Sequence, residues 1–367
     1  MKVPSITLIF SLLFVSIFFT SCKKENKDPM TNGVMYADLA LFKSDALGVI
    51  YNQQTNSIAY NQPDANGIYK IFISNYDGSG EVQLIFPDWA TDRHQWAEEW
   101  DPSGEFLICY IEKTAYVSEP NHTRVSEDAI PGYGAYTDIW IVKRDGTMAW
   151  KMTDLPNNYK HGICHGAISK DGTLFAWTER IDAPDFLDPN MAIGAYVFKV
   201  ANLNLGTTPS FSNIRTYQPG GFLAGGEVES ISPDNKKMLI YSTFESKNIL
   251  TTPIYSVDLE TNEIVKVAEE SFCQSPTYTP NGNKIVYMTG KDCDIFIGQL
   301  QGADWWVMNA DGSQKRRLTF MNKNNHIHSV NKYRLAGSLS FVNDSTFLGG
   351  VMTQSFGLTG YTALVKF

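Results

Sequence analysis

The feature that most constrains this 367-residue chain is a unit that repeats six times along it. In each copy an apolar, strand-length segment is followed by a tight turn rich in Asp, Asn, Pro and Gly, and then by a second apolar segment. A second hairpin follows the first in most copies. The first hairpins lie at residues 50–62 (the weakest copy), 98–112, 166–179, 229–243, 276–289 and 339–352, and the second ones at 68–86, 138–153, 195–204 (degenerate), 253–268 and 304–320. Asp-Gly and Asn-Gly turns tolerate the positive φ that tight hairpins need, so each copy predicts an antiparallel sheet of four strands.

A sheet of four strands cannot bury both of its faces alone, so the copies must stack on one another. A β-propeller does this by radial repetition around a channel, and six copies favour an all-β, six-bladed ring over a seven-bladed one. The last copy offers only three strands before Phe367, so we expect residues 34–41 to supply the fourth strand and close the ring. The sequence therefore predicts one propeller domain over residues 34–367.

The N-terminus has the pattern of a targeting segment. Lys2 is followed by an apolar run that is shorter than the roughly 20 residues a membrane span prefers, and the run ends in Thr-Ser-Cys at Cys22. This ending resembles a bacterial lipobox, which implies a signal peptide over 1–21, a lipid on Cys22 and a flexible tether over 22–33. We therefore expect a lipid-anchored envelope protein, with the outer membrane as the favoured site. An ordinary signal peptide and an uncleaved anchor helix are the alternatives.

Charge and motifs exclude several functional classes. The net charge is −9 and no cluster of Lys and Arg stands out, which argues against nucleic-acid binding. The chain has no Gly-x-Ser-x-Gly, no phosphate-binding loop, no His-Glu-x-x-His and no Cys-x-x-Cys pair. A serine hydrolase domain behind the propeller is excluded by motif and by length.

Polar residues recur where the first strand of each copy begins, at the predicted mouth of the channel. Strand alternation would place His161 and His165 on one face, because their separation is even. The corresponding positions elsewhere are His94, Glu98, Glu99, Glu227, Glu229, Gln274 and Arg334. Such a ring could bind a divalent cation or an acidic sugar. The alternative is the ordinary polar lining of a wet channel.

The long loops fall on one side of the predicted ring, which we call the upper face and define as the face where the first strands begin. Surface loops on a rigid scaffold commonly carry binding residues, and aromatic rings beside charged groups suit glycans or peptides. The candidates are Trp89, Trp96, Tyr116, Tyr133, Tyr136, His326 and His328. Aromatic packing against the tops of the blades is the alternative.

The turns of the type Ser-Pro-Asp-Gly and the segment Trp-Val-Met-Asn-Ala-Asp-Gly-Ser (306–313) resemble the TolB-type propeller repeat from about residue 47 onward. That repeat is specific for the fold and not for the activity. Oligogalacturonate lyases share it and hold manganese through histidines and a glutamine. This resemblance implies a divalent metal (Mn, Ca or Zn) at His94, His161, His165 and Gln274, and β-elimination of acidic oligosaccharides. Three functions stay open: binding of a glycan, peptide or envelope protein; a lyase or hydrolase; and scaffolding.

Overall fold

The computed structural model describes residues 36–85, 92–113, 135–183, 194–219, 225–245, 251–297, 300–353 and 360–367. Cys22, Trp89, Tyr116 and Tyr133 lie outside these residues, so the predictions made for them remain predictions. The described residues contain strands and no helix. Accordingly, none of them form a helix of the length and apolarity that crossing a membrane requires.

The strands are β1 (Asp38–Ser44), β2 (Leu47–Asn52), β3 (Ser57–Pro63), β4 (Tyr69–Asn75), β5 (Val82–Gln83), β6 (Gln95–Trp100), β7 (Phe106–Glu112), β8 (Thr137–Lys143), β9 (Ala149–Lys151), β10 (Gly162–Ile168), β11 (Leu174–Asp182), β12 (Ala195–Asn204), β13 (Ser210–Tyr217), β14 (Gly226–Ile231), β15 (Lys237–Ser242), β16 (Ile254–Asp258), β17 (Ile264–Ala268), β18 (Gln274–Tyr278), β19 (Lys284–Thr289), β20 (Phe296–Ile297), β21 (Leu300–Gln301), β22 (Asp304–Asn309), β23 (Arg316–Arg317), β24 (Leu335–Asn343), β25 (Thr346–Met352) and β26 (Gly360–Lys366).

These strands form six four-stranded antiparallel sheets, which confirms the six-bladed propeller predicted from the repeats. Blades 1 to 4 take their strands in chain order, as β2–β5, β6–β9, β10–β13 and β14–β17. Blade 5 is β18-β19-β22-β23 with the small hairpin β20–β21 inserted, and blade 6 is β24-β25-β26-β1. The inner strands β2, β6, β10, β14, β18 and β24 each contact the next, and β24 contacts β2, so the ring is closed.

The ring is closed by strand β1, as the missing fourth strand of the last repeat predicted. β1 pairs antiparallel with β26, from Asp38 opposite Lys366 to Ser44 opposite Tyr361. The strand is formed by residues 38–44 and not by 34–41. Both ends of the folded chain therefore belong to one sheet, which leaves no blade incomplete.

The hydrophobic core is divided among the six interfaces between neighbouring blades. Between blades 1 and 2, for example, Ala59 and Ile71 pack with Leu107 and Val142. Each of the other five clusters likewise joins residues of two adjacent sheets, including the interface of blade 6 with blade 1. Cys109, Cys164, Cys273 and Cys293 are buried with free thiols in the described residues. Burial between the blades thus holds the inner strands at fixed positions around the channel.

Candidate functional site

Every inner strand of the ring contains a one-residue irregularity at a corresponding point. In β6 the pairing steps from Ala97 to Glu99 while the partner strand advances by one residue, and β14 repeats this between Val228 and Ser230. In the other four inner strands, the inner strand advances by three residues where its partner strand advances by two. These bulges lie at residues 47–50 of β2, 163–166 of β10, 274–277 of β18 and 336–339 of β24. Such a bulge leaves one residue outside the ladder and redirects its side chain.

The bulges bring one histidine and two glutamates together. His165 lies in the bulge of β10, Glu98 in that of β6 and Glu229 in that of β14. His165 Nδ1 is 2.9 Å from Glu98 Oε1, and His165 Nε2 is 3.6 Å from Glu229 Oε2. The same Nε2 is 3.4 Å from Ser338 Oγ in the bulge of β24, on the blade opposite in the ring. The imidazole therefore lies in the central channel between three blades and reaches towards a fourth.

Two further glutamates complete what we call the central cluster: Glu98, Glu99, His165, Glu227 and Glu229. The carboxylate of Glu227 accepts a 2.6 Å hydrogen bond from the hydroxyl of Tyr241. Glu99 follows Glu98 in β6 and interacts electrostatically with Glu98 and His165. Four carboxyl groups thus surround one imidazole, with Glu98 and Glu229 only 8% and 6% exposed.

The crowding of like charges changes the protonation of the cluster. Burial raises the pKa of Glu99 to about 8, His165 opposing the shift and Glu98 adding to it. Burial also raises the pKa of Glu229 to about 8, and it raises the pKa of Glu227. The charge of His165 opposes both shifts. Burial alone would lower the pKa of His165, but Glu98 and Glu229 outweigh it and raise that pKa well above 6.5. At neutral pH, His165 is an imidazolium, and Glu99 and Glu229 hold protons.

A glycine and a tyrosine position the cluster. The backbone N–H of Gly166 donates to Glu98 Oε1 at 2.9 Å, which joins blade 3 to blade 2. A Cβ on Gly166 would lie 2.6 Å from Phe175 Cζ and 2.7 Å from the hydroxyl oxygen of Tyr110, so a side chain does not fit. The Tyr110 hydroxyl is itself buried beside Glu98 and has no hydrogen-bond partner among the described residues.

The structure separates His94 and His161 from His165. His94 is buried between blades 1 and 2, where its Nδ1 accepts a hydrogen bond from the backbone N–H of Tyr69 at 3.1 Å. His161 precedes β10, and its carbonyl accepts from the backbone N–H of Tyr136. The argument that even spacing places His161 and His165 on one strand face was wrong, because the strand begins at Gly162 and the bulge interrupts its alternation.

The predicted metal ligands do not form a metal site. His94 is held in the interface between blades 1 and 2, and Gln274 begins β18 in blade 5, where it pairs with Met288. Among the residues that the structure describes, no three His, Cys, Asp or Glu side chains are arranged to hold a metal ion. Arg334 lies before β24 and donates to the carbonyl of Tyr333, 2.7 Å away. The donor set described here does not fit a manganese centre.

His326 and His328 belong to an aromatic cluster on the link from blade 5 to blade 6. His326 stacks on Phe320 at 4.4 Å between ring centroids, and the Tyr36 ring lies 5.2 Å from each histidine. His326 Nδ1 accepts a hydrogen bond from the backbone N–H of His328, and His328 Nδ1 accepts one from the backbone N–H of Phe320. Burial lowers the pKa of His328 to about 4. The pKa of His326 is lowered as well, so both imidazoles are neutral at pH 7, and they pack against Tyr36, which precedes the closing strand.

The remaining aromatic candidates differ in exposure. Trp96 packs between blades, with its ring 5.5 Å from that of Tyr69. Tyr136 lies on the upper face, 6.3 Å from Tyr159, whose side chain is 38% exposed. The guanidinium of Arg180 lies 4.5 Å from the centre of the Tyr159 ring. Tyr159 is thus an exposed ring at the end of the channel where the inner strands begin, with the buried guanidinium of Arg180 (2% exposed) against it.

Sequence reasoning found the five members of the central cluster and missed the residues around it. Glu98, Glu99, His165, Glu227 and Glu229 were all predicted for the channel mouth. Tyr110, Tyr241, Ser338, Tyr159 and Arg180 were not predicted. Ser338 alone had a usable signal, because it occupies the same position in its repeat as His165 and the bulged glutamates.

Comparison with solved structures finds the same fold. TolB from Acinetobacter baumannii matches at 12% identity with a TM-score of 0.49, over 87% of this chain and 65% of that one. An Agrobacterium tumefaciens protein assigned as TolB matches at 13% identity with a TM-score of 0.50, over 78% of this chain and 90% of that one. An oligogalacturonate lyase in complex with manganese matches at 12% identity with a TM-score of 0.47, over 89% and 90%.

The six four-stranded sheets and the match to the Agrobacterium protein confirm a TolB-like propeller at the level of the fold. This chain spans 65% of the Acinetobacter TolB chain, which is less than two thirds of its length. No protein-family model matches the sequence. No curated protein matches it either. At such low identity the likeness extends to the architecture alone.

Proposed function

We propose that this chain is a binding protein of the bacterial envelope that recognises a glycan on its upper face. The observation that carries the proposal is the exposed ring of Tyr159 beside Tyr136, backed by the buried guanidinium of Arg180 4.5 Å from the ring centre. A half-open tyrosine ring offers a flat apolar face to the CH groups of a sugar, and neighbouring charged groups can bond to its hydroxyls. Lys160 and Asp182, paired at 2.8 Å, lie beside that ring and supply further polar groups.

Binding accounts for these residues better than cleavage of acidic oligosaccharides does. A uronate carries a carboxylate, and the central cluster already contains four carboxyl groups for one imidazole. Like charges in a site of low dielectric constant repel strongly. Metal-assisted elimination would need a cation to offset that repulsion, and the described residues provide no ligand set for one. A neutral or cationic ligand is therefore favoured.

The experiment is glycan binding by the detergent-solubilised full chain, screened on an array and measured by calorimetry. Tyr159→Ala should weaken binding of the best glycan about tenfold, since one stacking contact contributes about 1.4 kcal/mol. Met148→Ala, which removes an exposed apolar side chain from the turn between β8 and β9 on the opposite face, is the control and should leave affinity unchanged. An array with no bound glycan, or equal affinities for the parent and Tyr159→Ala, would refute the proposal.

We also propose that Cys22 carries the lipid that holds the protein to the membrane. The lipobox-like sequence before Cys22 and the polar segment 22–33 support this anchor. Labelling of cells with a radioactive fatty acid should mark the parent protein and not Cys22→Ala. Cys109→Ala, which removes a buried thiol, should be labelled like the parent. Label retained by Cys22→Ala would contradict the anchor.

A further inference from the structure

The central cluster contains four carboxyl groups and one imidazole. Its five titratable members come from the inner strands of blades 2, 3 and 4. The titratable groups packed around it among the described residues are Cys109 and Tyr110 on β7, Cys164 on β10, Arg180 on β11, Tyr196 on β12 and Tyr241 on β15. Arg180 is the one cation among these neighbours; its guanidinium lies over Tyr159, and its charge acts on Cys164 and Tyr196. His165 is therefore the principal counter-charge for four carboxyl groups.

A second observation indicates that the cluster accommodates a ligand. The hydroxyl of Tyr110 is fully buried, borders the Gly166–Glu98 contact and has no hydrogen-bond partner among the described residues. A buried hydroxyl without a partner costs about 1–3 kcal/mol, and folded proteins rarely tolerate it without a reason. The hydroxyl oxygen can accept a hydrogen bond from a donor that enters the cluster.

A contact between two blades that are not neighbours lies at the end of the ring away from the upper face. Lys170, in the turn that follows β10, extends past blade 4, and its Nζ donates to the carbonyl of Pro280 in blade 5 at 3.0 Å. Tyr159 and the cluster lie towards the opposite, upper end. A ligand held at Tyr159, which precedes β10, would have to extend one group past the start of that strand to reach His165 in its bulge.

We propose that the central cluster binds a primary ammonium group, as carried by an amino sugar, and that Glu98, Glu99, Glu227 and Glu229 supply its counter-charge. This inference rests on the proposed glycan function and adds the class of sugar. An ammonium donates three hydrogen bonds and accepts none, which matches a site composed of carboxylates and an acceptor hydroxyl. As the ammonium enters, Glu99 and Glu229 lose their protons to solvent, so binding releases protons.

The test compares the trisaccharide of glucosamine with the trisaccharide of N-acetylglucosamine, which differ in whether the nitrogen carries a charge. Calorimetry at pH 6 uses the full chain in detergent and two buffers of different ionisation enthalpy. We expect the amine form to bind at least about tenfold more tightly and to release up to about two protons per ligand, one each from Glu99 and Glu229. Glu229→Gln should abolish the preference, and the exposed control Glu263→Gln should retain it.

Each other outcome decides against one of the two proposals. If both trisaccharides bind equally and Tyr159→Ala weakens both, the glycan function stands and the ammonium site is refuted. If neither binds, the glycan function fails, and the ammonium site is tested alone with butylammonium against butanol. With glutamate labelled at its carboxyl carbon, butylammonium should then shift the carboxyl resonances of the parent protein. Butanol should not shift them, and butylammonium should not shift them in Glu229→Gln. Absence of that shift would overturn the inference.

Discussion

Replacing Glu229 by glutamine should stabilise the folded protein at neutral pH, although it alters a carboxyl group in a buried, hydrogen-bonded cluster. Burial raises the pKa of Glu229 to about 8, His165 opposes the shift, and Glu227 and Glu98 add to it. The carboxyl group is 6% exposed, so solvent screens these effects little. Glutamine keeps the shape and a hydrogen-bonding oxygen but has no proton to lose.

The size of the effect follows from the two protonation states. The ordinary pKa of the group is 4.5, so between pH 4.5 and 8 the folded protein holds a proton that the unfolded chain has released. Stability therefore falls as pH rises through this range, by about 1.4 kcal/mol for each pH unit. At pH 7 the loss is about 3 kcal/mol, which Glu229→Gln should recover. Below pH 4.5 the carboxyl is protonated in both states and the gain should vanish.

Guanidinium denaturation at pH 4.5, 6, 7 and 8 measures this gain directly. The parent, Glu229→Gln and Glu263→Gln would be compared, the last because Glu263 is exposed on blade 4. The difference between Glu229→Gln and the parent should grow with pH, and Glu263→Gln should follow the parent throughout. A destabilised Glu229→Gln at pH 7, or a difference independent of pH, would refute the electrostatic description of the cluster.

Three further predictions concern packing and closure. Gly166→Ala should lower the free energy of unfolding by about 1–3 kcal/mol through overpacking, measured by equilibrium denaturation. The control is Gly350→Ala, whose Cβ would meet its nearest atom at 3.8 Å, and it should cost less than about 1 kcal/mol. Asp304→Asn should cost about 3–5 kcal/mol in the same assay because it leaves Arg317 buried without its 2.7 Å ion pair, and adding Arg317→Met should restore part of the loss. Deleting residues 36–45 should abolish cooperative unfolding followed by circular dichroism, and a circular permutant that carries them after Phe367 should regain it, because Asp38 lies opposite Lys366.

The repeat pattern was sufficient to predict the blades because it records interactions between neighbours in the chain. Asp-Gly turns specify tight hairpins, and two hairpins in succession specify a four-stranded sheet. The count of copies predicted six blades, and the strand missing from the last copy predicted closure by the N-terminus. The sequence still placed the closing strand at 34–41. Its bounds, Asp38–Ser44, are set by pairing with β26 at the other end of the chain, and a local pattern contains no information on that pairing.

Only the tertiary structure decided which polar residues meet. The parity argument for His161 and His165 assumed an uninterrupted strand, and the bulge between Ile163 and Gly166 removed that assumption. Radial packing then carried His165 towards Glu98, Glu229 and Ser338, which are far apart in sequence, and placed His94 in a blade interface instead. The sequence by itself thus determined the unit, its number and its charged residues, because turns and alternation are local. The site depended on the ring, because its side chains come from different blades and converge only when all six have packed.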